Sequence, residues 1–225
     1  MKTEEEKTMR AVVFDMDGVL FDTERICRDS WLETARKRGL PGMEEIFPRC
    51  IGLNSNGSRK IVTQAYGGAF DYDEFRREAS DWFWDYIDRN GVPVMPGAEA
   101  LLLWLKENGW TLGLASSTRR ASVLSCLERS GLDRFFPVVV TGDMVEYSKP
   151  DPEIYLLACS RMGVEPGEAY AVEDSPNGIR AASAAGMRPL MVPDMIPPDR
   201  EMRKLSFRIF EDLNQVLAYL KEKAG

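Results

Sequence analysis

The chain has 225 residues, a net charge of −7, four cysteines and no histidine. That length suits one sizeable α/β domain with a smaller appendage, and the acidic balance speaks against a nucleic-acid surface, which wants a basic stripe. The missing histidine excludes Ser-His-Asp hydrolysis, Cys-His catalysis and histidine-held zinc, so any acid–base work falls to carboxylates, Lys, Tyr or Cys.

Taken in chain order, residues 1–10 are charged and polar and lack the apolar core of a signal peptide. The longest apolar runs, such as 100–105, are too short to span a bilayer. A soluble cytoplasmic protein is expected. Short β-rich runs follow at 11–14, 111–115, 138–141, 169–172 and 189–192. Most are continuous rather than alternating, as strands covered on both faces are, and each leads into helical periodicity. The pattern predicts βαβ units and a doubly wound parallel sheet.

Residues 23–92 break that rhythm. They read as helices near 24–38, 43–49, 58–66 and 72–89, separated by Gly39, Gly52, Gly67-Gly68 and Gly91. An α-helical domain inserted after the first strand is expected there, with residues 1–22 and 93–225 forming the α/β core and hinges near 21–23 and 91–96. Trp82, Phe83, Trp84 and Tyr86 are assigned to the core of this helical bundle. Later helices carry clearer punctuation. Ser117 or Thr118 is placed as the cap of a helix ending at Gly131, Asp151-Pro152-Glu153 opens another, and Ser175-Pro176 a third. The cysteines, Cys27, Cys50, Cys126 and Cys159, form no CxxC pair and read as reduced, buried thiols.

Four groups of chemistry-bearing residues fall just beyond predicted strands. Asp15 and Asp17 follow the first, Ser116, Ser117 and Thr118 the second, Lys149 the third, and Glu173 and Asp174 the fourth. Each group alone is equally a turn or a helix cap. Together they sit at the edge where open α/β sheets bind ligands. Clustered carboxylates repel by about 4 kcal/mol per pair at ~4 Å in an intermediate dielectric, so a cation is expected among them. Mg²⁺ fits, because it takes oxygen ligands from one or two carboxylates and substrate phosphate.

In that order DMDG, SST, SKPDP and EDSPNG resemble the four motifs of the haloacid dehalogenase superfamily, and the helical insert resembles the cap of its β-phosphoglucomutase-like branch. The resemblance implies an aspartyl-phosphate intermediate, Mg²⁺ and a small phosphorylated metabolite as substrate. It implies Asp15 as nucleophile and Asp17 as general acid, then base. Ser116, Ser117 and Lys149 would hold the phosphoryl group. Asp15, Asp17 through its backbone carbonyl, and Asp174 would bind Mg²⁺, with Glu173 in or near the shell. Glu24, Arg25 and Asn54 are candidate substrate contacts. The mutases of the branch carry a histidine in the first cap helix and basic residues around the cap loop. Here that stretch is Asp22-Thr23-Glu24-Arg25-Ile26-Cys27, and the loop Ile51-Gly52-Leu53-Asn54-Ser55-Asn56 is apolar and amide-rich. The reading is therefore a phosphatase, with a hexose-phosphate mutase and a non-catalytic phosphometabolite-binding module as alternatives. Neither oligomeric state nor substrate identity is legible.

Overall fold

The computed structural model describes residues 10–224, so the polar stretch 1–9 lies outside the described residues. Six parallel strands run in the order β3-β2-β1-β4-β5-β6. They are β1 (Ala11–Phe14), β2 (Thr111–Ser116), β3 (Val138–Thr141), β4 (Ala169–Glu173), β5 (Arg188–Met191) and β6 (Arg208–Ile209). The first five match the predicted runs within a residue. The two-residue edge strand β6 carries too little pattern to be seen in the sequence.

Helices cover both faces of the sheet, which is why its strands read as unbroken apolar runs. Side chains of alternate register point to opposite sides. Val12 and Phe14 join Leu112, Leu114, Tyr170 and Val172 beneath α5 (Ala98–Glu107), α6 (Arg120–Ser130) and α10 (Leu213–Ala224). Val13, Ala115 and Ala171 face α7 (Glu153–Met162) and α8 (Pro176–Ala184). The short α9 (Arg200–Leu205) packs Met202 against Ile179 and Met191. Among the described residues no helix is long and apolar enough to cross a membrane.

Between β1 and β2 lie α1 (Thr23–Arg38), α2 (Met43–Ile46) running into a 3-10 turn (Phe47–Cys50), α3 (Ser55–Tyr66) and α4 (Tyr72–Asn90). They share an apolar core of their own, with Trp31 meeting Phe47 and Phe75 edge to face at 5.3 and 5.5 Å. The two crossings into this insert lie side by side: Asp22 N donates to Pro93 O at 3.0 Å, and Met95 N to Leu20 O at 2.8 Å.

Two local assignments are corrected. Trp82, Phe83, Trp84 and Tyr86 are not the bundle core. All four stay partly or largely exposed, Trp84 packs against the α/β half, and Phe83 and Trp84 border a cavity. Positions i, i+1, i+2 and i+4 cannot share one helical face, and this end of α4 has left the bundle. Neither Ser117 nor Thr118 caps α6. Its N-cap is Arg119, without a side-chain hydrogen bond, because both hydroxyls are engaged elsewhere.

Candidate active site

The order in which the chain adds strands reverses beside β1, which has β2 on one side and β4 on the other. A crevice opens beyond the carboxyl ends of strands at such a point. Asp15 stands there, its N–H still in the ladder and donating to Val172 O at 2.9 Å. Gly18 then turns the chain at φ +79°, and a Cβ at this position would stand 2.6 Å from Asp174 Oδ2. Only glycine meets both demands, so Asp174 is pressed against the 15–18 turn.

Lys149 reaches into this crevice from the loop after β3 and is 1% exposed. Its Nζ donates to Asp15 Oδ1 at 2.6 Å, to Glu173 Oε1 at 2.6 Å and to Ala115 O at 3.0 Å. The Tyr155 ring lies 4.9 Å away. A buried ammonium thus has all three protons placed, and desolvation is outweighed by the two carboxylates, which hold its pKa above the ordinary lysine value.

Glu173 is fully buried and saturated. Oε1 accepts from Lys149 and from the Tyr155 hydroxyl at 2.7 Å. Oε2 accepts from Asp174 N, Ser175 N and Ser175 Oγ at 3.1–3.2 Å. Its oxygens are spent on protein donors, which suits a residue that fixes Lys149 better than one that binds a cation directly. Ser175 Oγ also accepts from Gly178 N at 3.1 Å, capping α8 as read from Ser175-Pro176.

Asp17 is gripped by hydroxyls from three elements. Thr23 Oγ1 donates at 2.5 Å, Thr118 Oγ1 at 2.9 Å and Ser116 Oγ at 3.4 Å. Burial raises its pKa against these bonds. Burial likewise pushes Asp15 up to about 8 despite Lys149, and Asp174 well above the usual carboxylate range with Glu173 and Asp15 beside it. Asp15, Glu173 and Asp174 each bring a carboxylate oxygen within 4.8 Å of the others. Three buried acids around one ammonium leave negative charge uncompensated, and an all-oxygen set of this kind fits a hard divalent cation.

A cavity of about 580 Å³ rises from these acids into the insert. The loop between the 3-10 turn and α3 closes part of it. Gly52, at φ +76°, lies against the core so that a Cβ there would meet Ser175 Oγ at 2.9 Å. Ser117 Oγ donates to Gly52 O at 3.1 Å. Of the three candidate substrate contacts, Glu24 borders the cavity, where burial, then the Asp17 and Asp15 charges, push its carboxyl up to about 8. The other two do not reach it. Arg25 is held by Asp22 and Asp194 at 2.5 and 2.6 Å, and Asn54 caps α3 by accepting from Gly57 N at 3.0 Å. Thr118 belongs to the hydroxyl group read after β2, whereas Thr23 and Tyr155 are not among the candidates read from the sequence. The Asp22-Thr23 pair at the start of α1 was the available signal for Thr23, and Tyr155, inside a helix, had none.

A family model for haloacid dehalogenase-like hydrolases matches residues 9–186. A phosphorylated carbohydrates phosphatase of Thermotoga maritima is 35% identical over 80% of this chain and 82% of its own. The fructose-1-phosphate phosphatase YqaB of Escherichia coli is 31% identical over 78% of this chain and 92% of its own. The solved β-phosphoglucomutase of Clostridium difficile superposes with a TM-score of 0.82 at 25% identity, over 96% of this chain and 97% of that one. With the acids, lysine and hydroxyls gathered at one sheet edge, these likenesses lead to one conclusion: the chain is an enzyme of the haloacid dehalogenase-like hydrolase family.

Proposed function

We propose that the chain is a Mg²⁺-dependent phosphatase that cleaves a small phosphomonoester, a sugar phosphate, through a phosphoryl group carried on Asp15. The observation that carries this reading is the Asp15 carboxylate at the β1 edge, 2.6 Å from the buried Lys149 ammonium and grouped with Asp174. The sugar-phosphate class rests on the names of the two relatives above.

In the proposed reaction an Asp15 carboxylate oxygen attacks phosphorus while the ester P–O bond breaks. The departing alkoxide takes a proton from Asp17. Water then attacks the phosphoryl group while Asp17 takes a proton from that water, the bond from Asp15 oxygen to phosphorus breaks, and phosphate leaves Asp15 as the free carboxylate. Lys149 and the Ser116 and Ser117 hydroxyls hold the phosphoryl oxygens and meet their charge. Asp15, Asp174 and the Asp17 backbone carbonyl would hold Mg²⁺, which when bound neutralises the negative charge of acids and phosphate. Glu173 positions Lys149. Residues 23–92 act as a cap that keeps water from the reacting groups, and Glu24 contacts the substrate.

The test is phosphate release from p-nitrophenyl phosphate and a panel of sugar phosphates, with Asp15→Asn alongside. Near-normal turnover by that variant overturns the covalent route. An isomerised sugar with no free phosphate would make the enzyme a mutase instead.

A further inference from the structure

Arg25, a candidate substrate contact in the sequence, has no part in the proposed reaction. Its guanidinium lies outside the cavity and bridges two carboxylates. Nη1 meets Asp22 Oδ1 at 2.5 Å, and Nη2 meets Asp194 Oδ1 at 2.6 Å. Asp22 opens the insert, whereas Asp194 belongs to the α/β half, in the loop between β5 and α9. The next two residues of that loop, Met195 and Ile196, pack against the insert's own core. The loop therefore ties the two halves together at a place separate from the paired crossings at Asp22 and Met95.

Neither member of the pair is explained by its own element. An arginine in the first turn of a helix stands against the positive end of the helix dipole. The Asp194 side chain is 4% exposed, and its Oδ2 completes no hydrogen bond. Burial raises its pKa, with Arg25 as the opposing cation. A buried carboxylate with one oxygen unsatisfied is a poor source of stability, and an apolar side chain beside Met195 and Ile196 would pack at least as well. What the pair does supply is a fixed position for the start of α1. Asp22, the N-cap, makes no capping bond there, because its carboxylate is engaged by Arg25.

That first turn carries Thr23, which is 1% exposed and donates to Asp17 Oδ1 at 2.5 Å. Thr118 and Ser116 both hold the other oxygen, Oδ2. Rotation of the Asp17 carboxyl group thus follows Thr23, and Thr23 follows the turn that Arg25 fixes. Small misplacements of a reacting group, even from a distant change, cost rate.

We propose that Arg25 and Asp194 are positioning residues: their ion pair pins the first turn of α1 to the β5–α9 loop and so holds Thr23 against Asp17, aligning that carboxyl group to give its proton to the departing oxygen as the ester P–O bond breaks. The proposal rests on the phosphatase reading for the role of Asp17, but the pinning of the turn is separable from turnover.

Asp194→Ala breaks the pair without stranding a buried charge, since Arg25 is 44% exposed and keeps Asp22. A misaligned acid harms poor leaving groups most. The comparison is therefore between phenyl phosphate, which departs as a strongly basic phenolate, and p-nitrophenyl phosphate, which departs as a much weaker base. Asp194→Ala should lower kcat/KM for phenyl phosphate about tenfold more than for p-nitrophenyl phosphate, a part of the ~10²–10⁴ that general acid–base catalysis supplies. Arg25→Lys keeps a charge toward Asp194 and should retain part of the parent's ratio. Amide hydrogen exchange, read by mass spectrometry, should rise about tenfold over residues 21–27 in Asp194→Ala and stay within about twofold over 28–38. Equal losses on both esters overturn the link to Asp17 and mark a structural tie. Unchanged exchange over 21–27 overturns the pinning, whether or not the chain hydrolyses either ester. A parent that hydrolyses neither ester refutes the phosphatase reading alone, and exchange then still decides the pinning.

Discussion

Replacing Lys149 by methionine tests the centre of the site. Methionine nearly matches the lysine stem in length and adapts to its cavity. What disappears is an ammonium 2.6 Å from both Asp15 Oδ1 and Glu173 Oε1, in a side chain that is 1% exposed. Breaking a buried pair by removing one partner costs about 3–5 kcal/mol, because the remaining charge is left without compensation. At ~2–4 °C per kcal/mol for a chain of this size, the melting temperature should fall by roughly 10 °C. Loss of one preorganised donor to developing charge costs about 3–4 kcal/mol of barrier, or 10²–10³ in kcat. The two losses have different causes and separate in a double variant. Glu173→Gln removes one of the two charges left without the ammonium, the fully buried one, and its amide can still face the Tyr155 hydroxyl and the Asp174 and Ser175 N–H groups. Lys149→Met/Glu173→Gln should therefore regain part of the melting temperature and none of the turnover. Thermal unfolding and steady-state hydrolysis of p-nitrophenyl phosphate at saturating Mg²⁺ read both quantities. Turnover that returns together with stability would reduce Lys149 to a structural counter-ion, as would a single variant within tenfold of the parent.

Glu24 gives a pH signature. Its folded pKa of about 8 lies above the unfolded value near 4.3, so the folded chain keeps a proton that the unfolded chain releases. Stability on this account is full below about pH 4.3 and falls as pH rises to about 8. Glu24→Gln should melt only slightly higher than the parent at pH 5 and several degrees higher at pH 8 in Mg²⁺-free buffer; a constant difference refutes the assignment. Gly52→Ala meets both a positive φ and the Ser175 hydroxyl, so it should cost about 1–2 kcal/mol and lower kcat/KM for sugar phosphates roughly tenfold or more. Unchanged kinetics would show that the loop need not seat on 175–177. Removal of divalent cations by EDTA should abolish phosphate release, and added Mg²⁺ should restore it; activity persisting in EDTA would refute the need for a cation among Asp15, Asp17 and Asp174.

What could be read before the fold was known has a local cause. A strand buried on both faces is an unbroken apolar run, and the polar residues that follow it mark the sheet edge. Asp15, Ser116, Lys149 and Glu173 were therefore placed at one edge by adjacency alone. The helical insert was legible because glycines punctuate its helices. The aromatic run at 82–86 was misread because helical periodicity shows that a face is apolar without showing what it faces; Trp84 turns toward the α/β half rather than the bundle. The asparagine at 54 looked like a ligand contact and is a helix cap, a competition that only the loop geometry resolves.

The sequence by itself determined the fold class, the position of the carboxylates and the need for positive charge among them, since each follows from short-range pattern and composition. Tertiary structure decided which cation compensates which acid. Lys149 meets Asp15 across 134 positions of sequence, and Glu173 is saturated by Tyr155 from another helix. Among the described residues it also left Arg76 without a carboxylate partner, stacked on Trp31, while seven other arginines of the insert are ion-paired. Charge compensation acts over a few ångströms of space, and separation along the chain does not report that distance.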